Sequence, residues 1–306
     1  MPVLITTLGE CAREDLGMIL PHEHVFVDLR TWDQPGYGEA AAEDVIRLMA
    51  PEIAAVQAQG ITAIVEPGPV GVGRRVDLLL AVSQATGMPL VVPTGIYREP
   101  WLTPWARDAS EDDLRDWMVE ELENGVEETG VRAGFIKVAA SDDGMTAAEA
   151  KVLRAAAQAS ARTGAAIGSH TVRGEVARSQ ADLIEAAGGD VSRFIWIHAH
   201  QEPDLAIHRE LGQRGVWLEY DGIGNPADDE RFVALVKHAL EAGLGDRVLL
   251  SHDHGWFDPA QPGGGTPMPY TYLVEYFLPK LQQAGVDDAT IAQLTRDNPF
   301  RAFARS

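Results

Sequence analysis

Short apolar runs recur along the chain, and most are followed by a segment with apolar residues at every third or fourth position. Eight such runs stand out, at positions 18–27, 61–65, 90–96, 134–138, 165–168, 194–197, 216–220 and 247–250. Most are continuously apolar rather than alternating, which is the pattern of parallel strands covered on both faces. The segments at 41–59, 112–128, 146–163, 174–187 and 228–242 carry Asp, Glu and Arg between their apolar positions, as amphipathic helices do. Eight strand–helix repeats over this length predict a closed (β/α)8 TIM barrel forming one domain over residues 1–306. An open doubly wound sheet has the same periodicity and differs only in closure. Both architectures put their chemistry at the C-terminal ends of the strands. An extended loop is expected after the eighth strand, where Gly263, Gly264 and Gly265 lie among four prolines at 259–269 before helical pattern resumes at Tyr270.

Composition narrows the partners. The formal net charge is −21, and so acidic a chain is repelled by nucleic acid and by anionic membrane surfaces. A single cysteine, Cys11, excludes an internal disulfide framework and any multi-cysteine zinc module. No apolar stretch reaches the roughly 18–20 residues of a membrane span. The first residues lack a basic region followed by a long apolar run, so no signal peptide is read there. A soluble, cytoplasmic protein acting on a small molecule is the expectation.

The histidines carry the chemical signal. Nine histidines placed at random in 306 residues would give about 0.3 His-x-His triplets, by composition alone. There are three: His22-Glu23-His24, His198-Ala199-His200 and His252-Asp253-His254, each at or just beyond the end of a predicted strand. A strand repeats every two residues, so His22 and His24 face the same way, into the barrel mouth, where both imidazoles can bind one cation. His170 closes the fifth run in the same manner. Any one of these could be a barrel-end histidine bonded to backbone. Together with Asp253 they point to metal. Lys137 lies inside the apolar fourth run, where a bare ammonium costs several kcal/mol to bury. It is therefore snorkelling, paired with an acid, or chemically altered, for instance carboxylated by carbon dioxide to a carbamate.

The segments Pro21-His22-Glu23-His24, Phe135-Ile136-Lys137-Val138, Ser169-His170-Thr171, Ile197-His198 and Ser251-His252-Asp253 resemble, in order, the ligand motifs of the phosphotriesterase family of the amidohydrolase superfamily. The similarity spans nearly the whole chain, including Gly71-Val72-Gly73-Arg74 and Asp297-Asn298-Pro299. It implies two divalent metal ions, zinc first among Zn, Mn, Co and Fe. His22 and His24, with Asp253, would hold the more buried ion, and His170 and His198 the more exposed one. Lys137, as a carbamate, would bridge the two together with a hydroxide. The implied mechanism is attack by that hydroxide on a substrate polarised by the exposed metal, with Asp253 as proton acceptor and shuttle. His200 is then expected behind the ligands or in a loop, and His252 on the opposite face of its strand. His254 would line the pocket without ligating.

Substrate is less legible. The family hydrolyses lactones, carboxylic esters and phosphotriesters, and the reading here is a lactone or carboxylic ester, with a phosphotriester as the alternative. A metal-containing barrel that binds a ligand without turnover is the alternative of a different class. Tyr97 resembles a tyrosine that lactonase members place beside the metals. Gly222 stands where many acyl-homoserine lactonases carry arginine, which argues against long-chain members of that substrate class. Trp256, in the loop after strand eight, and Arg173, three residues after His170, are candidate substrate contacts, with a helix-start surface role as the alternative for Arg173. Trp101 and Trp105 could form a further wall. Aromatic segments after strands one and three suggest a possible homodimer.

Overall fold

Successive residues of each apolar run face opposite ways, and both directions are buried. Ile19, Ala63, Val91, Phe135, Ile195 and Leu249 belong to one apolar cluster, while their neighbours Leu20, Ile64, Leu90, Ile136, Trp196 and Leu250 belong to a second that includes the helices. Two buried faces on every strand are what a barrel wrapped in helices requires. In a computed structural model describing residues 1–306, the strands are β1 (Met18–Leu20), β2 (Ile61–Val65), β3 (Leu90–Val91, resuming at Pro93–Thr94), β4 (Phe135–Ala139), β5 (Ile167–His170), β6 (Phe194–Ile197), β7 (Trp217–Tyr220) and β8 (Val248–Leu250). All neighbouring pairs from β1 to β8 are parallel.

Closure is made beyond the strands themselves. β1 and β8 share no ladder, but the chain that follows each does: Gly255–Phe257 pairs in parallel with His24–Phe26, with Gly255 opposite His24. Gly255 has φ +96°, and a Cβ there would overlap the His24 carbonyl oxygen and the Tyr270 ring. This seam makes the fold a (β/α)8 barrel rather than an open sheet. The first apolar run is accordingly two short strands, Met18–Leu20 and His24–Phe26, with Pro21, His22 and Glu23 between them. The long loop after β8 is partly ordered by the same seam, and Met268 returns to bridge Gly255.

The principal helices are α1 (Ala42–Gln57), α2 (Val76–Thr86), α3 (Glu111–Glu123), α4 (Ala147–Thr163), α5 (Gly174–Ala186), α6 (Leu205–Gln213), α7 (Asp229–Glu241) and α8 (Leu278–Gln283). α3 and α4 start at capping boxes, Ser110 with Asp113 and Thr146 with Glu149, which satisfy first-turn amides. α3 stops short of the predicted 128 because the chain folds back there, the Val126 amide donating to Val131 O at 2.7 Å. No helix is long and apolar enough to cross a membrane.

The N-terminal end of the barrel is sealed by an antiparallel hairpin, Leu4–Thr6 with Gly9–Cys11, and by the C-terminal helix Asn298–Phe303. Phe303 packs edge-to-face on Phe135 at 5.1 Å between ring centroids, and is 1% exposed. Phe303→Ala removes this plug from a close-packed floor and is expected to cost about 3–5 kcal/mol. Urea unfolding measures it, and an unchanged midpoint would show that the floor is not part of the core.

Candidate metal centre

Where a strand's interior-facing positions reach its C-terminal end, they change from apolar to polar. On β4, Phe135 is followed inward by Lys137; on β7, Trp217 is followed by Glu219. His170 is the last residue of β5, and His198 follows β6 directly. His22 and His24 leave β1, and Asp253 lies three residues past β8. Together with Lys137 these five line one cleft of about 270 Å³. His198 and Asp253 both adopt left-handed backbone, with φ +67° and +63°, a conformation that costs most residues free energy and is kept where the surroundings dictate it.

Three donor atoms converge at one point. Asp253 Oδ1 lies 3.1 Å from His24 Nε2 and 3.5 Å from His22 Nε2. It is buried and neither approach has hydrogen-bond geometry, so the oxygen has no hydrogen-bond partner. The far ring nitrogens are committed elsewhere. His22 Nδ1 faces Glu219 Oε1 at 2.6 Å, and His24 Nδ1 faces Glu66 Oε1 at 3.0 Å. A carboxylate on Nδ1 fixes the tautomer and orientation that present Nε2 as a ligand. Burial and Lys137 oppose charge on His22, but Asp221, Glu219 and Asp253 outweigh them and raise it to about 10. Burial also lifts the Asp253 carboxyl, yet the two imidazoles hold it far below the usual range. The triad demands positive charge, which a divalent cation supplies.

His170 and His198 form a second pair. His198 Nε2 is 2.8 Å from His170 Nδ1, and the Tyr97 hydroxyl is 3.2 Å from that same atom. Burial lowers the pKa of both imidazoles, so both are neutral near pH 7 and their nitrogens converge as lone-pair donors. Asp221 Oδ1 holds His198 Nδ1 at 2.9 Å. The same oxygen is 3.0 Å from His200 Nδ1, which places His200 behind the ligands. The Lys137 side chain is buried and forms no ion pair or hydrogen bond, and burial pushes its amine down despite the surrounding carboxylates. An unpaired, buried amine among convergent candidate ligands fits the donor set of a two-metal centre.

A scan against protein families matches the phosphotriesterase family over residues 2–303. The chain belongs to the phosphotriesterase family. It is 33% identical to a phosphotriesterase homology protein of Mycobacterium tuberculosis, covering 100% of this chain and 98% of that one. It is 26% identical to an aryldialkylphosphatase of Saccharolobus solfataricus, over 95% and 96% of the two chains. A solved structure described as organophosphate hydrolysis engineered from a weak promiscuous lactonase template superposes with a TM-score of 0.87 at 32% identity, covering 98% of this chain and 99% of that one. This protein is accordingly a hydrolase acting on ester or phosphoester bonds.

The remaining expectations divide. Tyr97 and Trp256 line the cleft, as does Trp101; Trp105 does not. Arg173 does not either. Its guanidinium is 65% exposed and 3.9 Å from Asp143, because the residue starts α5 and its side chain leaves towards solvent. His252 turns away as expected, with Glu23 on one ring nitrogen and the Leu273 amide on the other. His254 bonds Pro269 O and does not line the cleft. The carboxylates Glu23, Glu66, Glu219 and Asp221, and Arg98 at the cleft wall, were not singled out in the sequence. Glu23 was visible inside the first His-x-His triplet, and Asp221 at the end of the seventh run.

Glu219→Ala removes the acceptor that orients His22. Removal of such a partner is expected to weaken metal affinity by about 10- to 100-fold. Chelator competition reads this, with far-UV dichroism as the fold control; unchanged affinity would dissociate Glu219 from the centre.

Proposed function

We propose that this chain is a binuclear metal-dependent hydrolase of lactones or carboxylic esters. The observation that carries the reading is the convergence of His22, His24 and Asp253 at one point and of His170 and His198 at another, with the unpaired Lys137 amine in the same cleft. His22, His24 and Asp253 would hold one ion, His170 and His198 the other, and Lys137 would join them as a carbamate. Zinc suits this donor set, as do Mn, Co and Fe. When bound, the two ions supply Lewis acidity towards a carbonyl oxygen and bring the pKa of water near neutrality.

The residues of the chain do the rest. Asp253 reaches the cleft with 28% of its side chain exposed, where its carboxylate takes up the proton released as water attacks and returns it to the leaving group. Tyr97 is raised to about 12 by burial, so its phenol stays protonated and donates a hydrogen bond beside His170. Trp101, Trp256, Val72 and Leu29 wall the cleft and limit water. The Gly222 departure argues against long-chain acyl-homoserine lactones: a Cβ there would lie 2.6 Å from His200 Nε2, so a side chain would require His200 to move. The lactonase template of the similar structure favours lactones. The aryldialkylphosphatase relative favours a phosphotriester as the second reading. A barrel that only binds would have no use for Asp253 as a proton acceptor.

Metal analysis of the purified protein is expected to give about two divalent ions per chain. Asp253→Asn should lower turnover of lactones by about 100-fold or more while keeping the fold. A pH-indicator screen over lactones, esters and phosphotriesters measures both rate and preference. Turnover of phosphotriesters alone would replace the lactone reading, and an unaffected Asp253→Asn variant would remove the proton-transfer role.

A further inference from the structure

The cleft wall holds one charged side chain that the hydrolytic chemistry does not use. Arg98 is the only arginine lining the cleft, and apart from Lys137 its only cationic Lys or Arg side chain. Its backbone is clamped on both sides: the Tyr97 amide donates to Val70 O at 2.9 Å, and the Glu99 amide donates to Glu149 Oε1 at 3.1 Å. The guanidinium lies over Trp101, with Cζ 5.7 Å from the ring centroid, which limits its swing. The Tyr97 hydroxyl lies beside the guanidinium, and Nη1 donates to Asp142 Oδ1 at 3.4 Å, a half-exposed carboxylate. Such a pair is worth little by itself. Nε is buried and has no hydrogen-bond partner.

A buried donor without a partner costs free energy that an incoming acceptor recovers. With Nη1 turned to Asp142, Nε and Nη2 are left without a hydrogen-bonded acceptor, and that edge of the fork matches the two oxygens of a carboxylate once the side chain turns to meet it. Elsewhere the cleft wall includes the apolar residues Val27, Leu29, Pro67 and Val72. An uncharged substrate would fill the cleft but leave the guanidinium without an anionic partner in it.

We propose that Arg98 is a specificity-determining residue and that the preferred substrate is a lactone or carboxylic ester bearing a carboxylate, held by Arg98 while its scissile carbonyl lies over the metal ligands. The proposal rests on the hydrolase reading above and narrows it to anionic substrates.

The test uses the metal-loaded protein and a matched pair, γ-carboxy-γ-butyrolactone and γ-methyl-γ-butyrolactone, followed with a pH indicator. The wild type is expected to prefer the carboxylate lactone by about tenfold or more in kcat/KM, the scale of a charge-assisted hydrogen bond. Arg98→Met should erase that preference through KM, leaving kcat/KM for the methyl lactone within about twofold, and Arg98→Lys should restore part of it. Asp142→Asn should keep the preference. A ratio unchanged in Arg98→Met, or an equal loss on both lactones, overturns the proposal. If the wild type hydrolyses neither lactone, the lactone reading fails separately. Tryptophan fluorescence titration with the same pair then decides: carboxylate binding weakened about tenfold in Arg98→Met sustains the Arg98 assignment, and equal binding overturns it.

Discussion

One buried carboxylate, Glu23, holds together both the barrel and its chemistry. β1 and β8 exchange no ladder of their own, and the seam between them passes through this side chain. Glu23 accepts from the Ser251 hydroxyl at 2.7 Å, from the His252 amide at 3.0 Å and from the His254 amide at 2.9 Å, and it also meets the His252 ring. Ser251 in turn accepts from the His22 amide at 3.0 Å. Asp253 sits between two residues whose amides Glu23 holds, and its own amide donates to His22 O at 3.2 Å. The left-handed φ of Asp253 and its approach to His22 and His24 follow from this clamp. Burial alone would raise the Glu23 carboxyl, but its donors outweigh burial and keep it ionised. An ionised acceptor of this kind makes stronger hydrogen bonds than a neutral one.

The same interior positions serve two purposes at two heights. Low in the barrel they hold Ile19, Phe135, Trp217 and Leu249 in an apolar layer closed by Phe300 and Phe303. One step higher they hold Lys137, Glu219 and Ser251, and there packing gives way to charge. A layer of buried imidazoles and carboxylates is expensive to desolvate, and only mutual pairing and bound cations offset that cost. The apolar floor insulates this layer and carries the stability that the site does not. Gly95, between β3 and β4, belongs to the same economy of space: at φ +107° it lets the chain pass against the Lys137 carbonyl, which a Cβ would overlap.

What could be read from the chain follows the same division. Lys137 as a candidate ligand rested on the family resemblance. The barrel and the strand-end group of His22, His24, His170, His198 and Asp253 were legible because strand periodicity puts residues i and i+2 on one face and these residues stand at strand ends. The orienting carboxylates were not, since Glu66 and Glu219 find His24 and His22 only through pairing of remote strands. At Arg173, three residues after His170, local spacing left two readings, a substrate contact and a helix-start surface role, and the start of α5 turns the side chain outward, as the second reading has it. Arg98 follows Tyr97 just as closely, yet its backbone is bound to Val70 and Glu149, and that binding directs it to the cleft. The β1 boundary was blurred for a similar reason, since Pro21, His22 and Glu23 lie between two apolar stretches but the His22 and Glu23 amides donate to the chain after β8 and to β2.

Reaction class and substrate choice thus sit on different parts of the molecule. The ligand set lies on or beside strand ends and is held by buried ion pairs, so it tolerates little change. The walls of the cleft come from connections: Val27 and Leu29 after β1, Pro67 and Val72 after β2, Tyr97, Arg98 and Trp101 after β3, and Trp256 after β8. Of these, Tyr97 and Trp256 contact candidate ligands, His170 and Asp253, and none is itself a candidate ligand. Gly222 illustrates the limit, since it lies after β7 but packs on His200, which contacts Asp221 and through it His198. A side chain at Gly222 would have to displace His200, so this wall cannot acquire a long polar residue without disturbing the support of a candidate ligand. The chain after β8 is coupled in the same way through Glu23 up to His254, which leaves the connection after β3, at Arg98 and Trp101, as the part of the wall freest to vary.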